Sequence, residues 1–262
     1  MSAEVINVDQ SGWRHIVVTG DDRVRFLNGM VTSNIATMAD GDWLRTLMLS
    51  HKARLLSIFD VHAFADHLLV SCAPELYETT FETLDKHIVM DDVELEDASL
   101  AMHTVWNTAE DVWTARPVFA DCPNLSSAEV VECRRVEAGM PKFGVDVSDA
   151  NFPFESQLVR LVDYQKGCFT GQEPVARVHA RGGGGSKRLC GLRATDAELL
   201  PVDAELSTAE KPKAGRVTSS VISKQFGSIA LAYVHKSGWE EGSVVTVGDR
   251  EATVTSLPFT GS

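Results

Sequence analysis

Eight consecutive residues, Lys166-Gly167-Cys168-Phe169-Thr170-Gly171-Gln172-Glu173, gather a thiol, a cation, a carboxylate and two glycines. A thiol beside a lysine ionises more readily than one buried among apolar groups, and the glycines let other groups come close to the main chain. That chemistry suits redox exchange or transient coordination of iron at Cys168; the competing reading is a glycine turn in which Cys168 packs as a small hydrophobe. Upstream, Arg134-Arg135-Val136-Glu137-Ala138-Gly139-Met140-Pro141 sets a carboxylate among arginines. Two acceptor oxygens on Glu137 can take a pair of adjacent N–H donors at once, or the carboxylate can pair with Arg134 one helical turn away. Arg177, His179, Arg181, Lys187 and Arg188 form a basic cluster around the run Gly182 to Gly185, which reads as a mobile join between domains. In the functional alternative Arg177 faces a cleft and its neighbours attract an anion.

The elements that must position these groups read as a mixture. His15-Ile16-Val17-Val18 is strand-like and runs into Thr19-Gly20-Asp21-Asp22, where an aspartate can cap a helix with Val24, Leu27 and Val31 on one side. Asn28, Gly29 and Thr32 on that helix are placed to meet a ligand. A hairpin is expected over Trp43 to Val61, turning at residues 50–54; alanine at position 53 is uncomfortable at positive φ, so a local departure in the turn is expected. His67 to Val70 reads as a strand and Pro74 to His87 as a helix burying Leu76, Thr80, Phe81 and Leu84. The acidic run Asp91 to Asp97 alternates as a half-exposed strand does. Between Ala98 and Glu132 the pattern is weak, with Trp106, Trp113 and Phe119 expected as core aromatics. Strand-like runs at Arg188–Leu192, Gly215–Val221, Ser228–Val234, Ser243–Val247 and Ala252–Leu257 describe a small antiparallel barrel.

At 262 residues the chain can hold more than one core, and 44% hydrophobic with 23% charged residues is ordinary globular usage. No apolar run approaches the length of a spanning helix, and the first ten residues lack the basic and apolar regions of a signal peptide, so no membrane association and a cytoplasmic location are expected. The formal charge of 24 − 37 = −13 opposes general affinity for DNA or RNA. Five cysteines at positions 72, 122, 133, 168 and 190 include no CxxC pair and no zinc spacing, so no resident metal site is expected.

The run KGCFTGQEPVARVHARG, residues 166–182, resembles the signature of the YgfZ folate-binding family, which is related to the aminomethyltransferase, or T-protein, of the glycine cleavage system. VTGDDRVRFLNGMVTSNI, the RVEAGMP segment, Asn151-Phe152-Pro153-Phe154-Glu155 and AGRVTSSVISKQFGSIALAYVHK carry the same resemblance, from about residue 15 to 258. It implies an α+β, GcvT/YgfZ-like multidomain fold. Residues 1–185 would form the folate-binding region, with an abbreviated ferredoxin-like subdomain at about 42–130, and residues 186–262 a C-terminal barrel. It implies tetrahydrofolate as cofactor, bound by Glu137, Arg177, Lys166, Gln172, Glu155 and Asn28, with Glu137 hydrogen-bonded to the pterin ring and Cys168 as the reactive group. The implied role is assembly or repair of iron–sulfur enzymes and, through them, tRNA modification, with those enzymes or their assembly proteins as partners. T-proteins keep an aspartate where this chain has Ser57 or Ile58, and neither can serve as a carboxylate base. Two alternatives follow: a one-carbon transferase of the T-protein type, and a noncatalytic adaptor using the basic loop.

Overall fold

The computed structural model describes residues 4–107, 110–182 and 185–259. In chain order the elements are β1 (Val5–Asp9), β2 (Arg14–Thr19), α1 (Arg23–Met30), β3 (Trp43–Leu49), β4 (Leu55–Ala63), β5 (Leu68–Cys72), α2 (Pro74–His87), β6 (Glu94–Ala98), β7 (His103–Asn107) and β8 (Arg116–Val118). They continue as α3 (Ala128–Glu137), α4 (Gln172–Ala180), β9 (Lys187–Ala194), β10 (Glu205–Thr208), β11 (Lys211–Ser223), β12 (Gly227–His235), β13 (Val244–Val247) and β14 (Arg250–Thr255). The expected α+β architecture ending in a small antiparallel barrel is the one adopted.

Strands β3-β4-β5-β2-β6 form one antiparallel sheet, and β1-β7-β8 a second. Period-two alternation sorts the larger sheet into two unlike faces. One carries Ile16, Val18, Phe59, Val61, Leu68 and Val70, all buried against Leu27 and Met30 of α1 and Leu76, Tyr77 and Leu84 of α2. Helix α2 runs between the bounds its spacing predicts: Pro74, which has no N–H to satisfy, starts it, and Lys86 and His87 stand in its last turn, where cations suit the helix dipole. The acidic segment supplies β6, a largely exposed edge strand.

The opposite face carries a polar row. Register places Arg45 beside Asp60, Asp60 beside Ser71 and Ser71 beside His15. Arg45 grips the fully buried Asp60 with Nε to Oδ1 at 2.7 Å and Nη2 to Oδ2 at 2.9 Å, and His15 Nδ1 lies 2.8 Å from Ser71 Oγ. His62 continues this face, stacked on Trp43, with Phe119 edge-on at 4.8 Å and no hydrogen-bond partner for Nε2. Phe119 is therefore a correction to the expected core: it lies 38% exposed, a cover over the two histidines at the end of a short strand.

Burial lowers His62 from 6.5 to about 4. Because the folded state holds the proton less tightly than the unfolded state, stability is fully present above pH 6.5 and is lost as pH falls toward about 4, by roughly 3 kcal/mol. Denaturant unfolding at pH 7 and pH 4.5 is expected to show that loss in the wild type and a smaller one in His62→Phe. Equal losses in the two proteins would remove His62 as the cause.

The barrel closes in the order β10-β11-β12-β9-β14-β13. Its interior is filled by Leu192, Val217, Ala230, Ala232, Val245 and Val254, among others. The outward residues Leu189, Ile229, Leu231 and Tyr233 pack with Val136 of α3 and with Phe259. Five of the six barrel strands lie where the spacing put them. β10 escaped notice because it is four residues long and only Leu206 is buried.

At the β3–β4 turn the expected local departure does not occur. Ala53 takes φ 59°, the left-handed conformation that glycine adopts without cost, and is completely buried. An alanine there carries about 1–2 kcal/mol of backbone strain, offset by its packing with Leu49, Leu55 and Val175.

Candidate functional site

Between the polar face of the large sheet, the smaller sheet and α3 lies a cavity of about 450 Å³. Trp13, Trp106, Trp113 and Phe143 give it flat aromatic walls, and Ile58 of β4 closes one side. These come from separate segments: the β1–β2 connection, β7, the turn after it and the loop after α3. Aromatic planes with a few convergent polar groups suit a flat heteroaromatic ligand.

The polar groups are Asp9, Gln10, Arg45, Glu75, Thr104, Glu132, Arg135 and Lys142. Gln10 is buried and its Oε1 accepts from Thr104 Oγ1 at 2.5 Å. Arg45 reaches the cavity from above Asp60, with Nη1 4.0 Å from Met140 Sδ. Arg135 is the centre of the set. Its Nε and Nη2 donate to Glu132 Oε2 at 2.9 Å and Oε1 at 2.6 Å, Nη1 donates to Met140 O at 2.6 Å and Asp146 Oδ2 at 2.7 Å, and Nη2 also donates to Ser219 Oγ at 2.8 Å. Asp146, fully buried as a side chain, accepts in addition from Thr218 Oγ1, Ser219 Oγ and Lys142 N. A buried charged network of this kind is stable only when every member is satisfied, and this one ties α3 to the barrel strand β11. Hydrogen bonds from Arg135 hold Glu132 below the usual carboxylate range against the opposing effect of burial, and a backbone N–H from Ser11 does the same for Asp9.

The residues singled out in the sequence lie elsewhere. Lys166 is buried, and its ammonium donates to three carbonyls, Asn28 O at 2.6 Å, Val31 O at 2.7 Å and Ser33 O at 2.6 Å. All three of its protons are taken by the chain turning out of α1, so it serves neither a ligand nor the Cys168 thiol; burial pushes it down to about 8. Asn28 spends its Oδ1 on Ile35 N. Cys168 is exposed on the loop that follows, between the buried Lys166 and Phe169. Gly171 at φ 82° brings that loop against the β3–β4 turn so closely that a Cβ would lie 2.6 Å from Ser50 O. Gln172 opens α4 and is half-buried, Arg177 is exposed on it, and Glu155 is buried with Oε2 accepting from Phe152 N at 3.3 Å. The call of a glycine linker rests in part on residues 183 and 184, which lie outside the described residues.

Glu137 also stands apart from the cavity. It sits at the end of α3 with Oε1 accepting from Ser223 Oγ at 2.6 Å and Oε2 from Arg134 Nη1 at 2.8 Å, and it does not border the cavity. Glu132 and Arg135 do. Glu132 is about 140° around the helix from Glu137, so the two lie on different faces, and only knowledge of which face meets the cavity selects between them. None of Asn28, Glu137, Glu155, Lys166, Cys168, Gln172 and Arg177 lines the cavity. Ser57 is buried with Oγ 2.7 Å from Thr80 Oγ1, whereas Ile58 stands in the wall, and both Asp60 oxygens are committed to Arg45. Among the described residues no three of His, Cys, Asp and Glu come together as a metal site.

Residues 187–260 match the family described as the glycine cleavage T-protein C-terminal barrel domain, which coincides with the barrel. A chloroplastic protein of Arabidopsis thaliana named as a transferase is 24% identical over 97% of the chain and 71% of its own length. An aminomethyltransferase of Saccharopolyspora erythraea is 34% identical over 49% of the chain, and the Escherichia coli tRNA-modifying protein YgfZ is 30% identical over 47%. The matched segments span 37% and 40% of those two relatives' lengths. The crystal structure of the glycine cleavage system aminomethyltransferase T from Bartonella henselae shares the fold with a TM-score of 0.85 at 18% identity, covering 98% of the chain and 87% of that protein. No helix among the described residues is long and apolar enough to cross a membrane.

Proposed function

We propose that this YgfZ/GcvT-like chain binds tetrahydrofolate in the aromatic cavity and supports the assembly or repair of iron–sulfur enzymes and, through them, tRNA modification. The observation that carries the folate part is the cavity itself: about 450 Å³, walled by three tryptophans and a phenylalanine, with a carboxylate held in place by an arginine. A pterin is a flat ring with adjacent N–H donors on one edge, and these groups fit it. The tRNA part follows the name of the Escherichia coli relative, and the iron–sulfur part follows the motif around Cys168, an exposed thiol available to a partner.

An aminomethyltransferase reading shares the fold and differs in the base. Ile58 occupies the wall where a carboxylate would be wanted, and Asp9 and Glu132 are both held below the usual carboxylate range, which makes them poor proton acceptors at neutral pH. In a reconstituted glycine cleavage assay with this chain in place of a T-protein, no one-carbon transfer to tetrahydrofolate is expected. Turnover above the protein-free background would establish the transferase reading instead.

A further inference from the structure

A second cavity, of about 200 Å³, opens at one end of the C-terminal barrel, bordered by Gln157, Arg188, Cys190, Trp239 and Ser256 among others. Period-two alternation explains its lining. Cys190 and Leu192 of β9, and Ala252 and Val254 of β14, belong to the barrel interior, while Leu189 packs outside it. The next inward position along β9 is Arg188 and the next beyond β14 is Ser256, so two apolar rows end in polar residues at the same mouth. Gln157 closes one side, its backbone in the left-handed conformation at φ 62° and its Nε2 donating to Leu189 O at 3.0 Å. Arg188 lies over the Trp239 ring, with Cζ 4.3 Å from the ring centre. Among the described residues no carboxylate or carbonyl accepts a hydrogen bond from it. Yet the chain has 37 acidic residues, and two of them stand on the turn that carries Trp239. Both are engaged elsewhere: Glu240 Oε1 accepts from Trp239 Nε1 at 2.7 Å and Glu241 Oε2 from Ser256 Oγ at 2.9 Å. The Arg188 fork is left open to the cavity.

We propose that this barrel mouth is a binding site for a small monocarboxylate, gripped by the Arg188 guanidinium with Trp239 behind it. A guanidinium presents its donors in a planar fork that matches a carboxylate, and an aromatic face at its back holds it in place before a ligand arrives. The volume is below the roughly 300 Å³ at which drug-sized sites begin, so the ligand has few heavy atoms. Burial pushes Cys190 up to about 12, which leaves that wall uncharged at neutral pH. Glu240 and Glu241 at the rim oppose a doubly charged anion more than a singly charged one, which selects a carboxylate over phosphate. This mouth and the aromatic cavity share no bordering residue, so the assignment is independent of the folate reading. The competing account is that Arg188 only caps the barrel core with its stem and keeps its head in water.

Titration of the full chain with sodium acetate at pH 8, with ionic strength held constant by sodium chloride, tests this. The readout is the NMR resonance of the Trp239 indole N–H, identified by its absence in Trp239→Phe. The wild type is expected to show a saturable shift with acetate and to bind phosphate about tenfold more weakly. Arg188→Met keeps a stem over Trp239 and removes the fork, and it should weaken acetate binding about tenfold, the equivalent of one charge-assisted hydrogen bond. Arg188→Lys keeps the charge without the fork and should fall between the two. Lys236→Met, which removes an exposed charge three residues before Trp239, should leave the acetate curve unchanged. A shift that grows linearly with acetate, or that chloride alone reproduces, overturns the proposal, as does equal acetate affinity in Arg188→Met and the wild type. Should Arg188→Met fail to fold, equal affinity in Arg188→Lys and the wild type overturns it. A loss in Lys236→Met as large as in the Arg188 variants would reduce the effect to general electrostatics and overturn it too. Phosphate binding as tight as acetate would overturn the carboxylate assignment.

Discussion

Asp60→Ala is expected to lower folding stability by about 3–5 kcal/mol, because it strands the Arg45 guanidinium in a wall from which water is largely excluded. Asp60 is completely buried and Arg45 is only 10% exposed as a side chain, and the pair meets through two parallel bonds. The cost arises less from the lost attraction than from the unpaired charge left behind. A double variant, Arg45→Met with Asp60→Leu, is therefore expected to recover most of the stability while the single variant does not. Guanidinium denaturation of the three proteins reads this directly. A single-variant loss under about 1 kcal/mol would show that Arg45 finds water or another acceptor. The same change matters to the site, since Arg45 borders the cavity and a released guanidinium would swing into the space assigned to the ligand.

Cys168→Ser is expected to leave the fold and tetrahydrofolate affinity unchanged and to abolish complementation of a strain lacking the protein. Cys168 is exposed, does not border the cavity and stands on a loop pinned by groups other than its own side chain: Lys166 Nζ on three carbonyls, Thr170 N on Gly29 O and Phe169 in the core. The loop therefore does not depend on the thiol, while the thiol is open to a partner. Cys72 and Cys190 are the contrast, each buried and pushed up to about 12 by burial, chemically inert at neutral pH. Activity of iron–sulfur tRNA-modifying enzymes in cells carrying wild type, Cys168→Ser or an empty vector gives the readout. Full complementation by Cys168→Ser would strip the loop of the role proposed for it.

Periodic elements were legible because one face of each is buried against something large. Helix α2, the β3–β4 hairpin and five barrel strands follow directly from spacings of 3.6 and 2. The motif around Cys168 was legible as an unusual set of residues, and its resemblance led to the right fold. The residues that carry it stand apart from the cavity, because Lys166 and Asn28 hold the turn after α1 and Glu137 faces the barrel. A lysine donating to three carbonyls and a lysine awaiting an anion are the same letter in a sequence. The cavity residues Gln10, Trp13, Arg45, Glu132 and Arg135 come from three separated segments, and only the pairing of β1 with β7 and the packing of α3 on the barrel bring them together. Arg135 stood inside the RVEAG segment in plain view; what marked it was Asp146, eleven residues on, and no local spacing rule connects the two.

The central claim is that the cavity is a folate site, and anaerobic calorimetric titration of the native chain with tetrahydrofolate tests it most directly, with tryptophan emission followed in parallel. The account predicts saturable one-to-one binding accompanied by quenching, since Trp13, Trp106 and Trp113 all border the cavity. A titration that shows no saturable heat and leaves the emission unchanged would contradict it.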